Sequence, residues 1–259
     1  MAAILLDVDG VLHVSGQPIP GAVDAVAELR DAGHRLRFVT NSTTMSRAQL
    51  GDRLRSLGFE VGDDELQTTG SVAARALAGK RVLALTMPGL IDDLEGVELV
   101  GMNVDAVLIG GADEDSEETG RIFNYLNLNR AFLELDGGAD LYCLHKTRWW
   151  QTAEGPRLDA GAFVSGLEYA TGVEATVLGK PSPAYFGAAL EAIDADAEFA
   201  WMIGDDLEGD IAGAQRHGIR TILVRTGKFR PDDFDSSTIV PDGIVSSIAQ
   251  VPDWLEANL

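Results

Sequence analysis

One cysteine, very few lysines and no long apolar run mark this 259-residue sequence. Cys143 stands alone, so an internal disulfide framework is excluded, and the chain fits a reducing cytoplasm. No apolar stretch approaches the ~18 residues of a membrane span, so no membrane partner is expected. Asp7 and Asp9 interrupt the N-terminal apolar run too early for a secretory signal. Lysine is confined to Lys80, Lys146, Lys180 and Lys228, and the 41 acidic against 20 basic residues leave a formal charge of −21. That balance argues against a nucleic-acid partner. It also requires that any anionic substrate meet local positive charge or a metal. A high-salt habitat and a generic solubility bias explain such a surface equally well. Internal repeats and low-complexity segments are absent.

What is present begins with Ile4-Leu5-Leu6-Asp7-Val8-Asp9-Gly10-Val11-Leu12. An apolar run that stops at two acids reads as a buried strand carrying carboxylates to its C-terminal end. Alternate residues on a strand share a face, so Asp7 and Asp9 can enter one site. Residues 22–32 place Val23, Val26 and Leu29 at helical spacing before Gly33. Leu36–Val39 reads as a second strand, ending at Thr40-Asn41-Ser42, and a second helix is expected over 46–57. This alternation favours a doubly wound parallel sheet.

From about Gly70 to Leu178 the chain carries its own alternation. Strands are expected at 81–86, 106–109 and 141–145, and helices around 117–134 and 160–171. None of these strand ends is acidic, so the stretch reads as an inserted second domain. The first pattern resumes at Gly179, with a helix at 183–193, a strand at 200–203, a helix at 209–217 and a strand at 220–224. Residues 230–242 read as a surface loop.

The strand ends can be compared. Asp7 and Asp9 follow the first, Thr40, Asn41 and Ser42 the second, and Gly204-Asp205-Asp206 a later one, with Asp210 one turn on. Lys180 lies in Gly179-Lys180-Pro181-Ser182-Pro183, before a proline-marked helix start. Each has an ordinary use by itself: a solvated lysine, a turn or cap, or acids at a helix N-terminus. Their joint occurrence at strand ends, in this order, points to chemistry. Crowded carboxylates repel unless a cation neutralises them, and an oxygen-only set suits Mg²⁺. A lysine and hydroxyl donors among such acids suit a phosphoryl group. Asp7 can then act as nucleophile and Asp9 as proton donor and acceptor.

These four ordered motifs resemble those of the haloacid dehalogenase superfamily. The insertion between the second and third resembles its C2-capped subfamily IIA, a branch that includes 4-nitrophenyl, pyridoxal phosphate and nucleotide-phosphate phosphatases. The segments 145–150, 166–171, 177–181 and 224–229 further resemble the phospholysine phosphohistidine inorganic pyrophosphate phosphatase group. The resemblance implies an α/β fold: a Rossmann-like doubly wound parallel sheet core, residues 1–69 and 179–259, with an inserted α/β cap domain, residues 70–178. It implies a Mg²⁺-dependent phosphatase of small phosphorylated metabolites, working through an aspartyl-phosphate.

On that pattern Asp7 is nucleophile and metal ligand. Asp9 is general acid/base and a metal ligand through its backbone carbonyl. Thr40, Asn41, Ser42 and Lys180 bind phosphate, Asp205 binds Mg²⁺ directly, and Asp206 and Asp210 act through water or orient the shell. Part of that phosphatase group has Ser where this chain retains Asp9, which favours ordinary phosphomonoesters over phospholysine or pyrophosphate. His145, Arg148, Trp149 and Trp150 are the cap residues that could read the leaving group, although one of two adjacent strand tryptophans is expected to pack inside. Dimerisation through the cap is common in that branch, so a homodimer is one expected assembly. Competing readings are a phosphotransferase or phosphomutase on the same fold, a catalytically silent binding protein, and a receiver-like signalling module. A receiver domain is about half this length or less and lacks a large insertion.

Overall fold

The first apolar run forms the strand Ala3–Asp7, buried throughout and flanked in parallel by Ala200–Gly204 and Arg35–Val39. Burial on both faces is why it reads as an unbroken apolar run rather than an alternating one. The computed structural model describes residues 1–113, 116–152 and 155–258. Its chain divides into two units: 1–40, 48–67 and 180–259 in the first, 41–47 and 68–179 in the second. The sequence pattern assigns 1–69 to the core, whereas residues 41–47 group with the second unit.

The first unit holds a six-stranded parallel sheet. Its order is Gly243–Val245, Arg220–Val224, Ala200–Gly204, Ala3–Asp7, Arg35–Val39 and Leu66–Gln67. From Ala3–Asp7 the chain steps outward to Arg35–Val39 and Leu66–Gln67, then returns on the other side at Ala200–Gly204. The strand order therefore reverses between Asp7 and Gly204, and such a reversal opens a crevice at the strands' carboxyl ends. The helix Ala22–Asp31 buries Val26 and Leu29 of the expected stripe together with Ala22 and Ala25, and leaves the expected Val23 half-buried. Past Asp7 the chain turns at Gly10, whose φ of 91° is disfavoured for other residues. A short hairpin, His13–Val14 with Gln17–Pro18, comes next.

The second unit holds a five-stranded parallel sheet. Its order is Thr176–Val177, Asp140–Cys143, Ala106–Ile109, Arg81–Leu85 and Glu98–Leu99. Its core joins Leu83, Val107, Ile109 and Leu141 to Ala131, Leu135, Val164 and Leu167 from two covering helices, Tyr125–Asp136 and Ala160–Thr171. Cys143 sits in that core, where burial pushes its thiol up to about 12, an inert group. An antiparallel pair, Trp149–Thr152 with Gly155–Leu158, completes the unit.

Several elements differ from expectation. The helix expected around 117–134 is two, Ser116–Ile122 and Tyr125–Asp136, separated where the Asn124 side chain accepts a hydrogen bond from Asn127 N and caps the second. Residues 207–212 form a wider turn, with Ile211 N–H reaching Asp206 O, before the α-helical Gly213–Arg216. The expected loop 230–242 contains a helical turn, Pro231–Ser236. No helix among the described residues is long and apolar enough to cross a membrane.

Candidate active site

Asp7 ends its strand with its carboxylate buried, and Lys180 meets it there. Lys180 Nζ donates to Asp7 Oδ1 at 2.5 Å and to Asp210 Oδ1 at 2.7 Å. All three side chains are almost wholly buried. Lys180 is delivered just ahead of the helix Pro183–Ala192, whose start is fixed by Ser182 accepting from Tyr185 N and by proline in the first turn.

Asp205 and Asp206 lie just past the strand Ala200–Gly204, across the reversal from Asp7. Asp210 returns over them from the next turn, its Oδ2 accepting from both Asp205 N and Asp206 N at 3.2 Å. Gly204 is required here, because a Cβ would lie 2.3 Å from the Asp210 Cβ. Asp206 caps its own turn, with Oδ1 accepting from Glu208 N and Gly209 N. Its Oδ2 meets Lys228 Nζ at 3.0 Å. Lys228 also donates its backbone N–H to Asp205 Oδ2, and Thr226 Oγ1 donates to Gly10 O. Lys228 and Thr226 were missed as site residues by sequence reasoning. Their signal was present, since Thr-Gly-Lys comes after the strand ending at Val224 just as the other site residues come after theirs.

Asp9 is different from Asp7. Its side chain is 59% exposed, its Oδ2 accepts from Thr40 Oγ1 at 3.3 Å, and its Oδ1 lies 3.8 Å from His13 Nε2. Thus Thr40 joins the same edge as the acids. Asn41 and Ser42 belong to the second unit, where Ser42 O accepts from Thr69 Oγ1.

His145, Arg148 and Trp149 also lie in the second unit. His145 is buried, with Nδ1 accepting from Thr147 N and lying 3.8 Å from Asp159 Oδ2. Arg148 and Trp149 are exposed. The Trp150 side chain lies outside the described residues.

Burial sets the electrostatics. It pushes the Asp7 carboxyl above its usual range, with Lys180 opposing and Asp210 and Asp205 adding to the rise. Burial works against the Lys180 charge, yet Asp210 and Asp7 outweigh it and raise the ammonium. Burial and the neighbouring Asp210 push Asp205 up to about 6. For Asp206 burial acts in the same direction, but Lys228 and the turn N–H groups prevail and hold it low.

The donor set can be tested against a divalent cation. Asp7, Asp205 and Asp210 each place a carboxylate oxygen within 4.8 Å of the other two. Both Asp210 oxygens are already engaged by Lys180 and backbone N–H groups, whereas buried Asp205 Oδ1 has no hydrogen-bond partner. An orphaned buried carboxylate oxygen is costly unless something cationic meets it. The all-oxygen set suits Mg²⁺.

Fold and site together define an open α/β protein whose sheet edge gathers carboxylates around a buried lysine. A haloacid dehalogenase-like hydrolase family model matches residues 4–100, and a HAD-hydrolase-like model matches 177–251. A phospholysine phosphohistidine inorganic pyrophosphate phosphatase of Xenopus laevis is 41% identical over 265 residues, covering 99% of this chain and 95% of the relative. The human haloacid dehalogenase-like hydrolase domain-containing protein 2 is 40% identical over 235 residues, covering 90% and 87%. A p-nitrophenyl phosphatase from Archaeoglobus fulgidus superposes with a TM-score of 0.89 at 28% identity, covering 98% of each chain. The chain belongs to the haloacid dehalogenase-like hydrolases.

Proposed function

We propose that this protein is a Mg²⁺-dependent phosphatase that hydrolyses small phosphomonoesters through an aspartyl-phosphate. The observation that carries the reading is the buried Lys180 bridging Asp7 and Asp210 beside the unpartnered Asp205 oxygen. A lysine with two anionic partners in a dry site keeps its charge, and that charge is suited to a transferring phosphoryl group. The relatives named as phosphatases support the reaction class.

In this mechanism an Asp7 carboxylate oxygen attacks phosphorus as the ester P–O bond breaks. Asp9 gives its proton to the leaving oxygen. Its exposed carboxylate then takes a proton from water, which attacks the acyl phosphate, releases inorganic phosphate and regenerates Asp7. Thr40, Asn41, Ser42 and Lys180 bind the phosphate oxygens. Mg²⁺, held by Asp7, Asp205 and the Asp9 carbonyl, would neutralise charge on the transferring group. Asp210 orients Lys180 and the Asp205–Asp206 backbone, and Asp206 ties Lys228 to the edge.

The cap is residues 70–178 in this reading, and the core is 1–69 with 179–259. Arg148 and Trp149 are exposed and suited to meeting a leaving group, and Trp150 and His145 complete the candidate set. A cytoplasmic location fits the lone buried Cys143, and a homodimer through the cap fits the exposed Tyr125, Leu126 and Leu133 of its helix. The test is turnover of 4-nitrophenyl phosphate with Mg²⁺, with EDTA and in Asp7→Asn. Hydrolysis only by the wild type with metal is the expected result, and turnover surviving Asp7→Asn would sink the mechanism.

A further inference from the structure

Tyr185 is fully buried in the first turn of the helix that starts just after Lys180. Its side chain crosses to the other side of the phosphate edge. Tyr185 Oη accepts from Thr40 N at 2.8 Å and lies 2.8 Å from Thr40 O and 2.9 Å from Gln67 O, either of which can take its single proton. The connection is made twice, because Gln67 Nε2 donates to Tyr185 O at 2.8 Å. Gln67 is itself fixed by Arg37 Nε, and Arg37 is anchored on Asp64 O. Thr40 N also donates to Gln67 O. A phenylalanine would therefore fill the same space without orphaning that N–H. The Thr40 N–H alone does not require the hydroxyl.

What the hydroxyl adds is a tie between two segments that have no ladder between them, the strand end bearing Thr40 and the helix start behind Lys180. Resting on the phosphatase reading above, we propose that Tyr185 is a positioning residue: its buried hydroxyl fixes the spacing between Thr40 and Lys180, so that both meet the transferring phosphoryl group in one geometry. Misplacement of a binding group by about 1 Å can cost roughly 10²-fold in rate, so a partial loosening has room to register.

The test compares wild type, Tyr185→Phe and a variant carrying 4-aminophenylalanine at 185, which restores a donor and acceptor at the same place. In Tyr185→Phe, kcat for 4-nitrophenyl phosphate is expected to fall about tenfold, with KM moving less than about threefold. Inhibition by orthovanadate, a mimic of the transferring group, should weaken by about the same factor as kcat. The amino variant should recover most of both. A purely structural tyrosine would lower the unfolding temperature and leave kcat and vanadate inhibition of the folded enzyme unchanged, and that result overturns the proposal. If Tyr185→Phe does not fold, 4-fluorophenylalanine at 185 removes the hydroxyl while keeping most of its volume. It should lower kcat and weaken vanadate inhibition in the same direction, and unchanged values overturn the proposal equally. Turnover that persists in Asp7→Asn overturns the phosphatase mechanism and this proposal with it. Asp7-dependent turnover that ignores Tyr185 overturns the proposal alone.

Discussion

Two open parallel sheets stand in one chain, and among the described residues the candidate site gathers at the edge of the six-stranded one. The six-stranded sheet ends its strands in Asp7, Thr40 and Asp205, with Lys180 beside them. The five-stranded sheet ends in Thr86, Gly110-Gly111 and Leu144-His145. Both have buried, mainly aliphatic strands and helical cover, so their cores obey the same packing rules. The difference lies in the residues just beyond the last buried position of each strand. Architecture supplies the edge, and the side chains placed there decide whether it reacts.

The sharpest way to break this contrast is Asp7→Asn, which keeps the shape and removes the proposed nucleophile. Turnover of 4-nitrophenyl phosphate should fall on the order of 10⁴-fold, with near-normal folding by circular dichroism. Lys180→Met comes next. It leaves Asp7 and Asp210 buried without their shared cation, so kcat should drop about 10²-fold or more and stability in EDTA should fall by about 3 kcal/mol in denaturant unfolding. The five-stranded sheet predicts the opposite division. Leu141→Ala opens a cavity in its core and should cost about 3 kcal/mol, while kcat of the folded enzyme changes less than about threefold.

The smallest effect separates a buried ion pair from a surface one within the first unit. Arg30 grips Glu65 with both nitrogens, at 2.7 and 2.9 Å, in a half-exposed setting. Burial would raise the Glu65 carboxyl, but Arg30 and the Gly62 N–H outweigh it and hold it below its ordinary 4.5. The folded value is the lower one, so the pair stabilises above about pH 4.5 and its contribution fades as pH falls through the folded value. Glu65→Gln should therefore cost about 0.5 kcal/mol at pH 7, and the gap to wild type should close in acid. Thermal unfolding from pH 7 to 3 measures it.

Much of this contrast was legible beforehand because it is local. Buried parallel strands write themselves as apolar runs, and the strands beginning at Arg81, Ala106 and Arg220 lie where the runs place them. The sheet edges were not legible. Leu66–Gln67 and Gly243–Val245 are too short to carry a pattern, and only pairing with a neighbour makes them strands. The break at Asn124 was hidden because Leu128, Ala131 and Leu135 continue a plausible helical spacing, while the competing event is a side-chain cap. Helical propensity likewise missed the wide turn at 207–212, where Asp206 O receives the N–H of both Asp210 and Ile211.

Sequence by itself determined which residues could react: acids, a lysine and a threonine placed just beyond apolar runs, in an order that strands carry to one edge. It determined this because strand period and strand termination are properties of a few consecutive residues. Only the tertiary structure decided how those groups share their work. It buried Asp7 against Lys180 and left Asp9 exposed. It spent both oxygens of Asp210 on orientation and left one oxygen of Asp205 without a partner. It also paired Lys228, which a strand end does signal, with Asp205, and Tyr185, which nothing local signals, with Thr40. Those outcomes depend on distances between residues far apart in the chain, and packing, not spacing along the chain, sets such distances.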